Sequence, residues 1–257
     1  MIKFILTLIP VLFAAAAVVP AAAQTPRPTI VLVHGAFADG SSWSPVMKRL
    51  QADGYPVIAA ANPLRSLAAD SDAVAGLLKT IKGTIVLVGH SYGGMVISNA
   101  AGASSEVKAL VYVDGFAPDT GESAALLAGK FPGGIPNEAL APAPLANGAD
   151  LYIRADRYHA VFAADVGQAE ATLMQEMQRP VTQAAFTETS GQPAWKSIPS
   201  WFIYGDADLC IPPAAHAFMA DRAHAKQVVV VKGGSHVTLV THPDVVAKVI
   251  ERAATTQ

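Results

Sequence analysis

Short apolar runs alternate with amphipathic stretches along most of the chain. The runs hold four to six residues rich in Val, Ile and Leu, and such unbroken hydrophobicity is typical of strands buried on both faces. The stretches between them place apolar residues at helical spacing, as Trp43, Val46 and Leu50 do. The predicted strands are Thr29–Val33, Pro56–Ala59, Thr84–Val88, Lys108–Val113, Trp201–Tyr204 and Gln227–Val231. The predicted helices are Trp43–Ala52, Leu67–Ile81, Ser91–Ala101, about Ala214–Arg222, and Pro243–Arg252.

This alternation predicts an α/β fold, with a doubly wound, mostly parallel sheet of about six strands. One long segment, residues 117–199, interrupts the alternation. It is rich in Pro, Gly and Ala and contains helical pieces such as Asp165–Arg179, but no strong strand pattern. A stretch of this length is not a bare loop in a compact domain. We therefore expect a small helical cap, inserted between the fourth and fifth predicted strands.

The N-terminal residues 1–23 have the pattern of a secretory signal peptide, with a basic start, an apolar middle and small residues at the end. Cleavage is expected near Ala23, which leaves an α/β domain at 24–257 that works in the periplasm or outside the cell, without stable membrane insertion. An uncleaved anchor is the alternative, because Phe4–Ala23 is just long enough to span a bilayer.

Composition narrows the classes of partner. The chain has 257 residues, 52% of them hydrophobic and 15% charged, with a formal net charge of -2. Its length suits one α/β domain with a large core. No basic excess or basic stripe indicates nucleic-acid binding. The single cysteine, Cys210, excludes an intramolecular disulfide, and its apolar neighbours favour a packing role over a nucleophilic one.

The strongest chemical signal is Gly89-His90-Ser91-Tyr92-Gly93, between a predicted strand and a predicted helix. A serine on a sharp, strained strand-to-helix turn presents its hydroxyl at the top of the sheet as a nucleophile. The glycines two before and two after Ser91 let the strand and helix backbones pass closely. The N–H of Tyr92 then lies at a helix N-terminus, where it can bind an oxyanion without a metal.

A serine nucleophile needs a base, and His236 is the best placed of the seven histidines. It follows the last predicted strand, within Gly233-Gly234-Ser235-His236, and ligand sites of open parallel sheets lie at such strand ends. The others have more ordinary interpretations. We expect turn or supporting roles for His34 and His90, solvated positions for His159 and His224, a helix-start role for His242, and either a buried or an exposed position for His216.

Three aspartates compete to orient that base. Asp208 lies three residues after Gly205, on the loop that follows a predicted strand, which is the spacing usual for the acid. Asp206 on the same loop better suits stabilisation of the turn. Asp114, after the strand that ends at Val113, is the third candidate.

The second oxyanion donor should come from the loop after the first strand. Gly35 permits a turn there, so the N–H of Ala36 is the favoured donor, with that of Phe37 behind it. Four aromatic residues are candidates for the wall of an apolar acyl pocket, with ordinary core packing as the alternative for each: Trp43, Phe116, Phe131 and Tyr158.

Taken together, these segments resemble the α/β-hydrolase superfamily, and more narrowly its branch of small methylesterases and hydroxynitrile lyases. The resemblance covers nearly all of the chain after residue 23 and is weakest in the expected cap. It implies a triad of Ser91, His236 and Asp208, an active site without metal or cofactor, and small ester substrates; some members carry the acid at the position of Asp114. Relatives that cleave cyanohydrins have a lysine directly after the catalytic histidine. Val237 stands there instead and disfavours a lyase.

The expected function is therefore hydrolysis of small carboxylic esters through an acyl-enzyme. Cofactor-free perhydrolase or haloperoxidase-like chemistry and amide cleavage are alternatives on the same triad. A non-catalytic ligand-binding protein that keeps the hydrolase scaffold is a further one.

Overall fold

The computed structural model describes residues 26–256, together with Ile2. The predicted signal peptide therefore lies, apart from Ile2, outside the described residues. In the described part, no helix is long and apolar enough to cross a membrane. The strands are β1 Thr29–Val33, β2 Val57–Ala60, β3 Ile85–His90, β4 Val107–Val113, β5 Leu140–Pro144, β6 Ala149–Ile153, β7 Val181–Thr182, β8 Ser200–Gly205 and β9 Gln227–Val231. The α-helices are α1 Ser44–Ala52, α2 Leu67–Leu78, α3 Tyr92–Ala100, α4 Ala124–Ala128, α5 Ala155–Phe162, α6 Gln168–Glu176, α7 Gln183–Thr187, α8 Pro213–Arg222, α9 Thr238–Thr241 and α10 Pro243–Thr255.

The main sheet has six parallel strands in the order β2-β1-β3-β4-β8-β9. This confirms the predicted α/β fold and all six predicted strands, with ends that move by one or two residues. Every residue of β3 is buried, because the strand lies in the middle of the sheet with packing on both faces. The carboxyl ends of β3, β4, β8 and β9 lie at one edge of the sheet, and the loops that leave this edge carry the candidate site.

Helices cover the sheet in packed pairs. Helix α1 packs against α10, and α2 against α3. The apolar stripe of α10 shows why: Val246, Val249 and Ile250 recur at helical spacing and are all buried, while the opposite face carries charged residues. Pro243 occupies the first turn of this helix, where its missing N–H breaks no helical hydrogen bond.

The segment between β4 and β8 contains more than the small helical cap that the sequence predicts. It contains four helices, α4 to α7, and also a three-stranded antiparallel sheet in the order β5-β6-β7 that the sequence pattern did not predict. Strand β5 reads Leu-Ala-Pro-Ala-Pro, a composition that argues against a strand. As an edge strand it tolerates Pro142 and Pro144, which lack the N–H needed for a ladder hydrogen bond. The long helix predicted at Asp165–Arg179 is limited to α6.

Polar contacts attach this insertion (residues 117–199) to the body of the domain. The Glu188 carboxylate accepts the N–H of Leu67, at 2.6 Å, and so caps the start of α2. Arg222 on α8 donates to Glu122 over 2.9 Å, and Arg65 donates to Asp150 over 2.8 Å. The insertion is therefore held over the carboxyl edge of the main sheet from several sides.

Candidate active site

Ser91 stands at the turn between β3 and α3, and its backbone is strained. Its φ is 53° and its ψ is -124°, in a region that residues with a side chain seldom adopt. The close approach of strand and helix that the glycines permit is visible at Gly89. A Cβ placed there would lie 2.6 Å from the carbonyl oxygen of Gly93. The turn holds Ser91 against the first turn of α3, 6% exposed.

His236 lies on the loop after β9 and contacts both of its expected partners. Its Nε2 is 2.8 Å from Ser91 Oγ, and its Nδ1 is 2.7 Å from Asp208 Oδ2. His90 Nε2–H donates to the carbonyl oxygen of His236 over 2.9 Å, which ties the His236 backbone to the end of β3. The Phe162 ring, from the insertion, packs against the imidazole with ring centroids 5.2 Å apart.

Asp208 is the carboxylate that reaches His236, and it is fully hydrogen-bonded. Its Oδ1 accepts the N–H groups of Cys210, at 2.7 Å, and Ile211, at 2.9 Å. Its Oδ2 accepts from His236 and, over 3.1 Å, from His216 Nε2. Burial by itself would raise the pKa of Asp208, but the charge of His236 and the hydrogen bonds from both histidines outweigh it and hold that pKa below its usual range.

The other two candidate acids do different work. Asp206 accepts the N–H of Gly233 over 2.6 Å at the exposed turn, as the turn interpretation predicts. Asp114 accepts the N–H of Gly205 and the N–H and hydroxyl of Thr238, which joins the loops after β4, β8 and β9. Burial, followed by the charge of Asp208, raises the pKa of Asp114 to about 7. Neither carboxylate is hydrogen-bonded to His236.

The two expected oxyanion donors share a pocket with Ser91. Ala36 and Tyr92 both line it, and among the described residues no protein acceptor takes either N–H. The N–H of Phe37 is already donated to the Arg179 carbonyl oxygen over 2.8 Å, so Phe37 is not free to serve. The N–H of Tyr92 has the added field of a helix N-terminus. The Tyr92 phenol, on α3, donates to the buried Asp70 over 2.9 Å.

The pocket around Ser91 is narrow and almost wholly apolar. Of the four aromatic candidates only Phe116 lines it; the insertion supplies much of the remaining wall through Ile135, Leu140, Leu151 and Phe186. Trp43 is buried beside His90 in the core, whereas Phe131 is partly buried, pairs with Phe218 and packs against the core.

A second, wider crevice adjoins this pocket, and Phe37 lines both. Tyr158 lines the crevice and donates its hydroxyl to the Phe37 carbonyl over 3.1 Å. Together with the Arg179 hydrogen bond, this holds the loop after β1 against the insertion, with Phe37 as the wall between the two cavities.

Cys210 also lines the pocket. Potential ligand atoms of Asp208, Cys210 and His236 lie within 4.8 Å of one another. Each of the three side chains already hydrogen-bonds within the protein, and Cys210 Sγ donates to the Val161 carbonyl. Burial raises the pKa of the Cys210 thiol well above its ordinary value, which opposes the thiolate that a metal would need. These contacts fit a packed cysteine better than a metal ligand.

His216 is the site residue that the sequence did not identify. The sequence pattern allows either a buried or an exposed position for it, and in the structure it is fully buried near the start of α8, against Asp208. The signal is weak in the sequence, because its partner lies eight residues earlier, on a loop. Pro212 and Pro213 mark where the helix starts, and a histidine one turn later can face back towards that loop.

Comparisons with known proteins agree with this fold. The model of the alpha/beta hydrolase family matches residues 30–249. The alpha/beta hydrolase nvfD of Aspergillus novofumigatus is 26% identical over 249 residues, 89% of this chain and 97% of that protein. A carbendazim hydrolyzing esterase of a Nocardioides species is 31% identical over 124 residues, 43% of this chain and 50% of the esterase. The solved structure of the methylesterase MES16 from Arabidopsis matches with a TM-score of 0.75 at 16% identity, over 90% of this chain and all of that one.

Proposed function

Because the chain belongs to the alpha/beta hydrolase family, we propose that it hydrolyses small, largely apolar carboxylic esters with Ser91 as nucleophile. The observation that carries this proposal is the unbroken hydrogen-bonded series from Ser91 Oγ through His236 to Asp208, at 2.8 Å and 2.7 Å. Two further features support it: a pocket with almost no polar wall, and relatives that include a carbendazim hydrolyzing esterase and a methylesterase.

In the first half of the reaction, Ser91 Oγ attacks the ester carbonyl carbon and its proton passes to His236 Nε2. The N–H groups of Ala36 and Tyr92 bind the oxyanion that forms. Asp208 stabilises the imidazolium through Nδ1–H. His236 then gives its proton to the departing alkoxide, and an acyl-serine and an alcohol result.

In the second half, water attacks the acyl carbon while His236 accepts its proton. Collapse of the second oxyanion returns the proton to Ser91 Oγ and releases the carboxylic acid. The resemblance puts a lysine directly after the catalytic histidine in relatives that cleave cyanohydrins. Here that residue is Val237, which is apolar and buried, and this favours hydrolysis.

The test of the nucleophile uses p-nitrophenyl acetate and butyrate, together with a fluorophosphonate probe read by mass spectrometry. The wild-type protein should turn over both esters and carry the probe on Ser91. Ser91→Ala should lose both, whereas Ser197→Ala, which changes an exposed serine, should keep both. Activity that survives in Ser91→Ala would refute the proposal. Failure of the probe to label the wild-type protein would favour the non-catalytic alternative.

The assignment of Asp208 as the acid of the triad is tested by two matched substitutions on the loop after β8. Asp208→Asn should lower kcat by about 10⁴-fold, because the amide cannot orient the imidazole in the productive tautomer. Asp206→Asn should leave kcat near the wild-type value, since Asp206 only holds the turn at Gly233. The reverse ranking would assign the role to Asp206. Acetate with peroxide and p-nitroanilides, assayed in parallel, separate ester hydrolysis from perhydrolase and amidase chemistry.

A further inference from the structure

One oxygen of Asp208 serves two histidines. Oδ2 accepts from His236 Nδ1 at 2.7 Å and from His216 Nε2 at 3.1 Å, while Oδ1 accepts two backbone N–H groups. A carboxylate offers about four acceptor positions, so this one is saturated. The side chains of Asp208 and His216 are 0% and 1% exposed, so no solvent replaces these partners.

The hydrogen bonds also assign the proton of His216. Its Nε2 faces an acceptor and must donate. Its Nδ1 is buried and, among the described residues, has no hydrogen-bond partner. His216 therefore carries a proton on Nε2, and a second proton on Nδ1 would be buried without an acceptor, which is costly. Tyr204 stacks on it, with centroids 4.7 Å apart and an interplanar angle of 13°.

Among the ionisable groups near Asp208, His236 is the one whose charge we expect to respond to the hydrogen bond from His216. The other ionisable groups around Asp208 are Asp114 after β4, which burial favours in its neutral form, and Cys210 on the same loop, whose pKa burial raises. His90 at the end of β3 stays neutral, since burial lowers its pKa to about 3. Asp208 Oδ2 thus accepts from two histidines, and of these His236 is the one that also reaches Ser91 Oγ.

We propose that His216 is a positioning residue for the ester hydrolysis proposed above: it holds Asp208 Oδ2 in place and weakens the pull of that carboxylate on the proton of His236. The role depends on the proposed function, because it acts through the proposed base. When the His216 donor is lost, His236 is the only side chain left to donate to the negatively charged Asp208 carboxylate. The imidazolium becomes the favoured resting form up to a higher pH, and less neutral base is available to start the reaction.

The experiment compares two substitutions in the full-length protein. His216→Phe keeps a ring that can stack on Tyr204 and removes the donor. His216→Gln keeps an N–H at similar reach. The acid limb of the kcat/KM profile should move to higher pH by about half a unit to one unit in His216→Phe and stay near the wild-type position in His216→Gln. Below the limb, the Phe variant should therefore be about threefold to tenfold less active than wild type. His216→Met serves as the donor-free variant if the Phe protein does not fold.

If His216 had only a structural role, its substitution would lower the melting temperature and leave the pH profile of kcat/KM unchanged, and that outcome would overturn the proposal. The proposal would also be overturned if the acid limb of His216→Gln moved as far as that of His216→Phe. An NMR titration of the His236 imidazole in the same proteins gives a readout that needs no substrate. A midpoint that rises in His216→Phe supports the coupling even if no ester is turned over, in which case only the proposed function fails. An unchanged midpoint refutes the coupling.

Discussion

Replacing Gly89 by alanine should damage both stability and activity, because β3 and α3 approach too closely there for a Cβ. The new Cβ would lie 2.6 Å from the Gly93 carbonyl oxygen, 2.7 Å from its carbon and 2.8 Å from the Gly94 nitrogen. All three are backbone atoms, so no side chain can rotate away. Ordinary contact begins near 3.4 Å, and the first turn of α3 would have to retreat by about 0.8 Å.

That movement sets the size of the two effects. Forcing an extra methyl into a packed interior costs about 1–3 kcal/mol of unfolding free energy. Ser91 and the N–H of Tyr92 lie at the start of the displaced turn and would move with it. A misplacement of about 1 Å in a reacting group can lower the rate about 10²-fold, and we expect a loss of that order in kcat/KM.

Gly76→Ala is the matched control. Gly76 lies in the interior of α2, is exposed, and has no atom within 4 Å of an added Cβ. The same chemical change there should raise the unfolding free energy by up to about 1 kcal/mol, through helix propensity, and leave activity unaltered.

Urea unfolding followed by tryptophan fluorescence, and hydrolysis of p-nitrophenyl butyrate, measure the two quantities in both variants. The reasoning would be refuted if Gly89→Ala kept a wild-type unfolding free energy. If stability fell while kcat/KM stayed within threefold, the link between α3 and the position of Ser91 would be wrong.

Three further predictions concern the surroundings of the site. Burial lowers the pKa of His90 from 6.5 to about 3, so between these pH values the unfolded chain binds a proton at His90 that the folded protein does not. The wild-type protein should therefore lose stability as the pH falls through this range. His90→Gln should lose less in urea unfolding over the same range, and parallel curves would contradict this. Tyr92→Phe leaves Oδ2 of the buried Asp70 without its hydrogen-bond donor, while Oδ1 keeps the N–H of Arg65, and should lower the unfolding free energy by about 1–3 kcal/mol; an unchanged unfolding free energy would contradict this. Phe37→Ala removes the wall between the pocket and the crevice and should raise kcat/KM for p-nitrophenyl octanoate relative to acetate. An unaltered ratio would exclude Phe37 as that wall.

Some features could not be predicted because their cause lies in contacts between distant segments. Strand β5 is an example, since Ala and Pro give it no strand propensity and only pairing with β6 makes it a strand. Trp43 and Phe131 are plausible pocket residues by type, yet Trp43 is packed in the core and Phe131 packs against the outside of the core. Whether an aromatic ring lines a cavity or fills one depends on its neighbours in space.

Local patterns were enough to predict the six main strands, the strained turn at Ser91 and the position of His236 at a strand end, because strand burial and turn chemistry are local properties. Those patterns left three aspartates as candidates for the acid. The folded chain separates the three by their partners: Asp208 accepts from His236, while Asp206 and Asp114 accept from backbone groups of neighbouring loops. The structure alone showed His216 at the same carboxylate, because that contact exists only once α8 folds back onto the loop after β8.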